Sequence, residues 1–122
     1  MTGFSFKDRG RSFRYAFDGL GFMLKTQHNA WLHAAITLLV VAAGLILGLD
    51  LADWKWLLLT IVIVWLAETM NTAFEHLCDV VSPELRDSVR RAKDIAAGAV
   101  LICSAGAVAM AALIFGPYLA QL

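Results

Sequence analysis

The sequence predicts an all-α membrane protein with three transmembrane helices and an N-terminal amphipathic helix on the membrane surface. Three observations predict it. Of 122 residues, 60% are hydrophobic and only 16% charged, where a soluble domain carries about 45–50% apolar residues. The apolar residues are gathered in three long blocks. A basic, amphipathic stretch precedes the first block.

That stretch, about residues 5–28, places Phe13, Phe17, Leu20 and Leu24 at i, i+4, i+7 and i+11, with Arg11, Arg14, Asp18 and Lys25 on other faces. Such a helix lies flat in the membrane interface or packs along the bundle; Phe22 falls on its polar side. Lys7, Asp8, Arg9 and Arg11 occupy the place where a cleaved signal would carry its apolar segment, so the mature chain is expected to start near Met1.

The first span covers about 31–49. From Trp31 to Leu49 its only polar side chains are His33 and Thr37, and roughly 19 helical residues rise about 28 Å, close to a hydrocarbon core. Asp50, Asp53 and Lys55 form a short polar connection, with Trp54 and Trp56 where an interfacial aromatic belt sits. The second span covers about 54–80. It is free of ionisable groups only from Trp56 to Ala67, about 18 Å and too short to cross. The helix must therefore continue and carry Glu68 and Asn71 into the leaflet beyond or to its boundary.

Ser82-Pro83-Glu84 reads as a helix start, with Ser as cap and Pro in the first turn. The third span, about 92–116, is uncharged from Ile95 onward, and Gly116-Pro117 is expected to end its regular helix. Ala96, Ala97, Gly98, Ser104, Gly106 and Ala109 among others make it rich in small residues, which let helices approach closely in lipid. A multi-helix, oligomeric bundle built from one domain, residues 1–122, is expected.

Lys7, Arg9, Arg11, Arg14 and Lys25 precede the first span, and Arg86, Arg90, Arg91 and Lys93 separate the second from the third; only Lys55 lies on the other side. The positive-inside rule places the N-terminus and the 82–94 segment in the cytoplasm. Ten basic residues balance ten acidic ones, so no net field attracts nucleic acid, and that partner is excluded. Cys78 and Cys103, one at the cytoplasmic end and one in an apolar block, are expected to be free thiols.

Glu68, Asn71, Glu75 and Asp79 follow at i, i+3, i+7 and i+11, which confines them to a sector of roughly 80° on one helix face. Carboxylates at membrane depth are costly and normally face a bundle interior or a wet site, so a functional site outweighs a solvated face, most strongly for Glu68. Oxygen ligands of this kind suit Mg²⁺, which takes one or two carboxylates and completes its shell with water and phosphate. A carboxylate in a partly apolar site also suits a general base that removes the proton of an alcohol. Metal-assisted phosphoryl transfer to a lipid hydroxyl uses both roles.

A di-iron bundle would need a His three residues after a Glu, and His28, His33 and His76 do not supply it. Neither a P-loop nor a complete GxGxxG occurs, Gly19 and Gly21 lacking the third glycine; ATP would have to be held by another scheme. A non-catalytic membrane subunit that passes protons or ions through Glu68 is the reading of a different class. Lys93 and Asp94 adjoin the cytoplasmic end of the stripe, where Lys93 either neutralises phosphate or anchors the helix, and Asp94 either holds metal or favours the helix N-terminus.

The run Glu68-Thr-Met-Asn71-Thr-Ala-Phe-Glu75, followed by Arg91-Ala-Lys-Asp94-Ile-Ala-Ala-Gly-Ala-Val-Leu101, closely resembles the prokaryotic diacylglycerol kinase and undecaprenol kinase family. The resemblance runs from the surface helix, through Asn29 and His33, to the end of the third span. It implies a homotrimer in the bacterial plasma membrane, with active sites shared between subunits at the cytoplasmic boundary, ATP as co-substrate, Mg²⁺ as cofactor and a membrane-embedded lipid alcohol as substrate. It implies Glu68 as the catalytic base, with Glu68 and Asn71 meeting the lipid substrate. Asn71, Asp79, Glu84, Lys93 and Asp94 then stand on the nucleotide side, and Glu75 is a metal ligand.

Two positions depart from the family's pattern. Gln27 stands where many members have a second metal-binding Glu; its amide oxygen can ligate without charge. Glu84-Leu85-Arg86 replaces a Glu-Tyr-His run near the adenine. The Val-Ser-Pro-Glu loop and the Lys-Asp-Ile-Ala-Ala-Gly run look more like the undecaprenol branch, with diacylglycerol as the alternative lipid.

Overall fold

A computed structural model describes residues 3–84 and 86–122; Met1, where the chain is expected to start, and Leu85 of the loop lie outside them. The described residues form four helices and no strand: α1 Phe6–Thr26, α2 His28–Leu47, α3 Leu51–Val81 and α4 Asp87–Ala120. The last three are long and apolar enough to cross a membrane.

Ser5 caps α1, its hydroxyl accepting the Asp8 backbone N–H at 3.4 Å. Gln27 adopts an extended conformation (φ −106, ψ 115) and divides α1 from α2. The Trp31 indole N–H donates to the Leu24 carbonyl across that break. Phe13, Phe17, Leu20 and Leu24 are all exposed. The helix instead meets the rest of the chain through Met23, which is buried, and through Phe22, whose ring lies 5.5 Å from that of His76. Phe22, the misfit of the amphipathic pattern, keeps 53% of its surface exposed while its ring meets His76.

Gly48 ends α2 in the left-handed region (φ 69), and the N–H groups of Gly48 and Leu49 both reach the Gly44 carbonyl. A side chain is strained at that φ, and glycine is not. Asp50 then opens α3, its carboxylate accepting the Asp53 N–H at 2.9 Å. The hairpin is tight because Gly44 has no Cβ: one added there would meet the Trp54 ring at 2.8 Å and Leu49 at 2.9 Å.

The 31 residues of α3 rise about 46 Å, well beyond the roughly 30 Å of a hydrocarbon core, so part of the helix extends past such a core. Two sequence expectations fail at the ends of α4. Ser82 caps the C-terminus of α3, its N–H bonding the Cys78 carbonyl, and α4 starts at Asp87. The Ser82 hydroxyl donates to the Glu84 carbonyl, an alternative to N-capping a helix. Pro117 lies inside α4, which continues to Ala120; a proline this near a terminus removes one backbone bond where few follow.

α3 packs most extensively on α4 and next on α2. Leu49, Leu57 and Ile114 are the buried apolar core at the hairpin end. The α3–α4 pair is clamped at both ends: Lys93 Nζ lies 2.6 Å from Asp79 Oδ1, and the Tyr118 hydroxyl donates to Asp53 Oδ2 at 2.8 Å while accepting the Asp50 N–H at 3.0 Å. Elsewhere large side chains such as Leu38, Leu58, Leu101, Ile102, Val108 and Leu113 are exposed. So much bare apolar surface needs lipid or further protein to cover it. Cys78 and Cys103 are both free.

Candidate active site

Midway along α3 the polar residues turn inward. Glu68 is only 2% exposed and is the most deeply buried large side chain; Asn71 and Thr72 beside it are also buried. Glu68 lies 15 residues beyond Asp53, or about 22 Å along the axis, which sets it in the leaflet opposite the hairpin. Its Oε2 atom, Asn71 Oδ1 and Thr72 Oγ1 are buried without a hydrogen-bond partner among the described residues. Buried polar atoms are nearly always paired, so three orphans on one face mark a place prepared for something else.

Among the described residues, the one basic side chain that salt-bridge distance places against Glu68 is His33 of α2, whose Nε2 lies 3.3 Å from Oε2. That contact is close, yet its alignment does not make a hydrogen bond. The Thr37 hydroxyl donates to the His33 carbonyl at 2.7 Å and accepts the Trp65 indole N–H at 2.9 Å. His33 and Thr37 also line an apolar groove of about 180 Å³ between α2, α3 and α4, whose walls include Val40, Ile61, Val64 and Ala107. The buried carboxylate and the apolar groove thus meet at one histidine.

The remaining sequence-selected residues are spread along the same end of the molecule. Glu75 is half-buried, with no ion-pair partner among the described residues. Asp79 is exposed and holds Lys93; Asp94 is exposed, and so is Glu84, which has a loose 3.8 Å contact with Arg86. Gln27 is half-buried at the α1–α2 break, its amide nitrogen 3.5 Å from the Thr26 hydroxyl. Only Lys93 and Asp79 are brought into contact; Glu68 lies about 16 Å from Asp79 along α3, with Glu75 between them. His33, Thr37 and Thr72 were not picked out as site residues. A lone ionisable group in an apolar span was the signal for His33, because such a group needs a partner.

Comparison with known proteins now decides the family. The model described as "Prokaryotic diacylglycerol kinase" matches residues 14–115. The chain belongs to the prokaryotic diacylglycerol kinase family. It is 32% identical over 109 residues to a protein of Bacillus subtilis (strain 168) named "Undecaprenol kinase", covering 89% of each chain. It is 35% identical over 112 residues to a "Diacylglycerol kinase" of Synechocystis sp., covering 91% of this chain and 64% of that one. Membership makes the chain a membrane lipid kinase, and it sets aside the reading as a non-catalytic membrane subunit.

The family implies ATP and a divalent metal, and the donor chemistry here fits one. Glu75 is a half-buried carboxylate with no ion-pair partner among the described residues, and Gln27, half-buried at the α1–α2 break, offers a neutral amide oxygen. These are hard oxygen donors, and Mg²⁺ needs only one or two of them beside phosphate and water. Among the described residues no three His, Cys, Asp or Glu side chains converge as a metal cage.

Proposed function

We propose that the chain transfers the γ-phosphate of Mg-ATP to the hydroxyl of a membrane-embedded lipid alcohol, undecaprenol in preference to diacylglycerol. One observation carries the reading: a carboxylate with a free acceptor atom, buried at membrane depth, beside an apolar groove. Glu68 accepts the alcohol's proton as the hydroxyl oxygen attacks phosphorus. The groove keeps the reacting end of the lipid out of water, and Asn71 orients it. Lys93, Asp94, Asp79 and Glu84 hold the nucleotide at the cytoplasmic end of the stripe. Glu75 and Gln27 would hold the metal, which supplies charge neutralisation on the β- and γ-phosphates when bound.

The exposed Phe13, Phe17, Leu20 and Leu24 support a surface helix whose apolar stripe enters the lipid headgroup region. The orphaned buried atoms on α3 and the bare apolar flanks support a homotrimer that completes the site from a neighbouring copy. The distribution of Lys and Arg supports a bacterial plasma membrane protein with its N-terminus and site in the cytoplasm. The loop sequence Val-Ser-Pro-Glu and the Lys-Asp-Ile-Ala-Ala-Gly run, together with 89% coverage of the relative named for undecaprenol, support that lipid over diacylglycerol. The test is a panel of undecaprenol, shorter polyprenols and diacylglycerols presented in vesicles with labelled ATP and Mg²⁺. The reading expects the highest kcat/KM on undecaprenol; equal or better turnover of diacylglycerol would reverse the assignment.

A further inference from the structure

We infer that His33 is a positioning residue for Glu68: it holds the buried carboxylate aimed while leaving one acceptor atom free for the substrate. The inference rests on the kinase reading above and adds a residue to it.

A buried carboxylate serves an incoming alcohol only if a neighbour fixes its orientation while an acceptor atom stays open. Among the described residues His33 is the only basic side chain in contact with it; the next candidate, Lys93, is engaged by Asp79 at the far end of the stripe. A fully hydrogen-bonded carboxylate would be useless, since its lone pairs would be spent. The observed contact meets both conditions, with nitrogen at 3.3 Å and no aligned hydrogen bond, so Oε2 remains an open acceptor.

The backbone that carries the imidazole is tied to α3. Trp65 donates to Thr37, Thr37 donates to the His33 carbonyl, and Trp65 stands one turn before Glu68 on the same helix. The Trp65 and His33 rings lie 6.2 Å apart at a tilted angle. This closed path from α3 to α2 and back fixes the height at which His33 faces Glu68. In the reaction the alcohol O–H bond breaks and its proton goes to Glu68. The oxygen–phosphorus bond forms as the bond from the γ-phosphorus to the bridging oxygen breaks, its electron pair leaving on ADP. His33 takes no part in these bond changes.

A bland alternative is a histidine that merely packs between helices. The full chain with His33→Ala and with His33→Gln separates the two readings, assayed in vesicles with Mg-ATP and undecaprenol. His33→Ala is expected to lower kcat by about 10- to 100-fold, the scale of a misplaced catalytic group. KM for ATP and lipid should change by less than about 2-fold, and His33→Gln, which keeps a polar side chain of similar reach against Glu68, should recover much of the loss. A folded His33→Ala at wild-type kcat, or a loss that tracks thermal destabilisation and is not recovered by Gln, overturns the inference. A second measurement needs no turnover: the infrared band that disappears in Glu68→Gln should shift between the parent and His33→Ala. An unchanged band overturns the role of His33 even if the lipid assay succeeds. A shifted band in a protein that phosphorylates no lipid contradicts the kinase reading and leaves the His33–Glu68 coupling standing.

Discussion

Lys93 Nζ lies 2.6 Å from Asp79 Oδ1, and this pair joins the start of α4 to the end of α3. The lysine on which phosphate binding would depend is thus held by a carboxylate of its own chain. Asp79 is 65% exposed and Lys93 27%, so the pair is hydrated and adds little to stability. Its contribution is to pre-place the ammonium at the end of the acidic stripe. Lys93→Met is therefore expected to raise KM for ATP by about tenfold or more, the scale of losing a charge-assisted contact, with the thermal midpoint in detergent nearly unchanged. Steady-state kinetics beside a melting curve check it; a large fall in the midpoint with normal KM would make the pair structural.

Glu75 has the opposite setting, a half-buried carboxylate with no cation to hold among the described residues. Glu75→Ala is expected to raise the Mg²⁺ concentration needed for half-maximal activity by about 10-fold or more, as loss of a metal contact does, while the oligomer seen by size exclusion persists. A magnesium titration measures it. Loss of assembly with an unchanged magnesium requirement would move Glu75 from the metal to the subunit interface.

The α2–α3 hairpin depends on the absence of a side chain. Gly44→Ala brings a methyl to 2.8 Å from the Trp54 ring, and overpacking of this kind costs about 1–3 kcal/mol. Gly98→Ala is the control, since a Cβ there meets nothing within 4 Å in the chain. Unfolding in mixed micelles should show Gly44→Ala destabilised and Gly98→Ala as stable as the parent. Equal behaviour of the two would mean that the hairpin relaxes freely.

What could be read from the residues alone follows from what is local. Three apolar blocks of membrane length and an acidic run at i, i+3, i+7 and i+11 are properties of single segments, so the three long helices and the inward turn of Glu68 and Asn71 on α3 were legible. The pairing of His33 with Glu68, and of Thr37 with Trp65, depends on the register of two helices that no local pattern encodes. Helix ends were the other weak point. Ser82-Pro83 has the composition of a helix start, yet its hydroxyl is used inside the loop, and Pro117 is tolerated because so little helix follows it. The apolar stripe of α1 was visible, but the residue of α1 that the fold buries is Met23, off that stripe. The lengthwise separation of Glu68 from Lys93 was implicit in their positions, while the lock between Lys93 and Asp79 was not.

Glu68 carries the most weight, and Glu68→Gln is the most direct probe of it. The substitution keeps shape and volume and removes only the capacity to accept a proton. Lipid phosphorylation measured with labelled ATP should fall by at least about 100-fold, the usual scale of a lost general base, with nucleotide binding and oligomeric state unchanged. Wild-type turnover by a correctly folded Glu68→Gln would contradict the assignment of this buried carboxylate as the base.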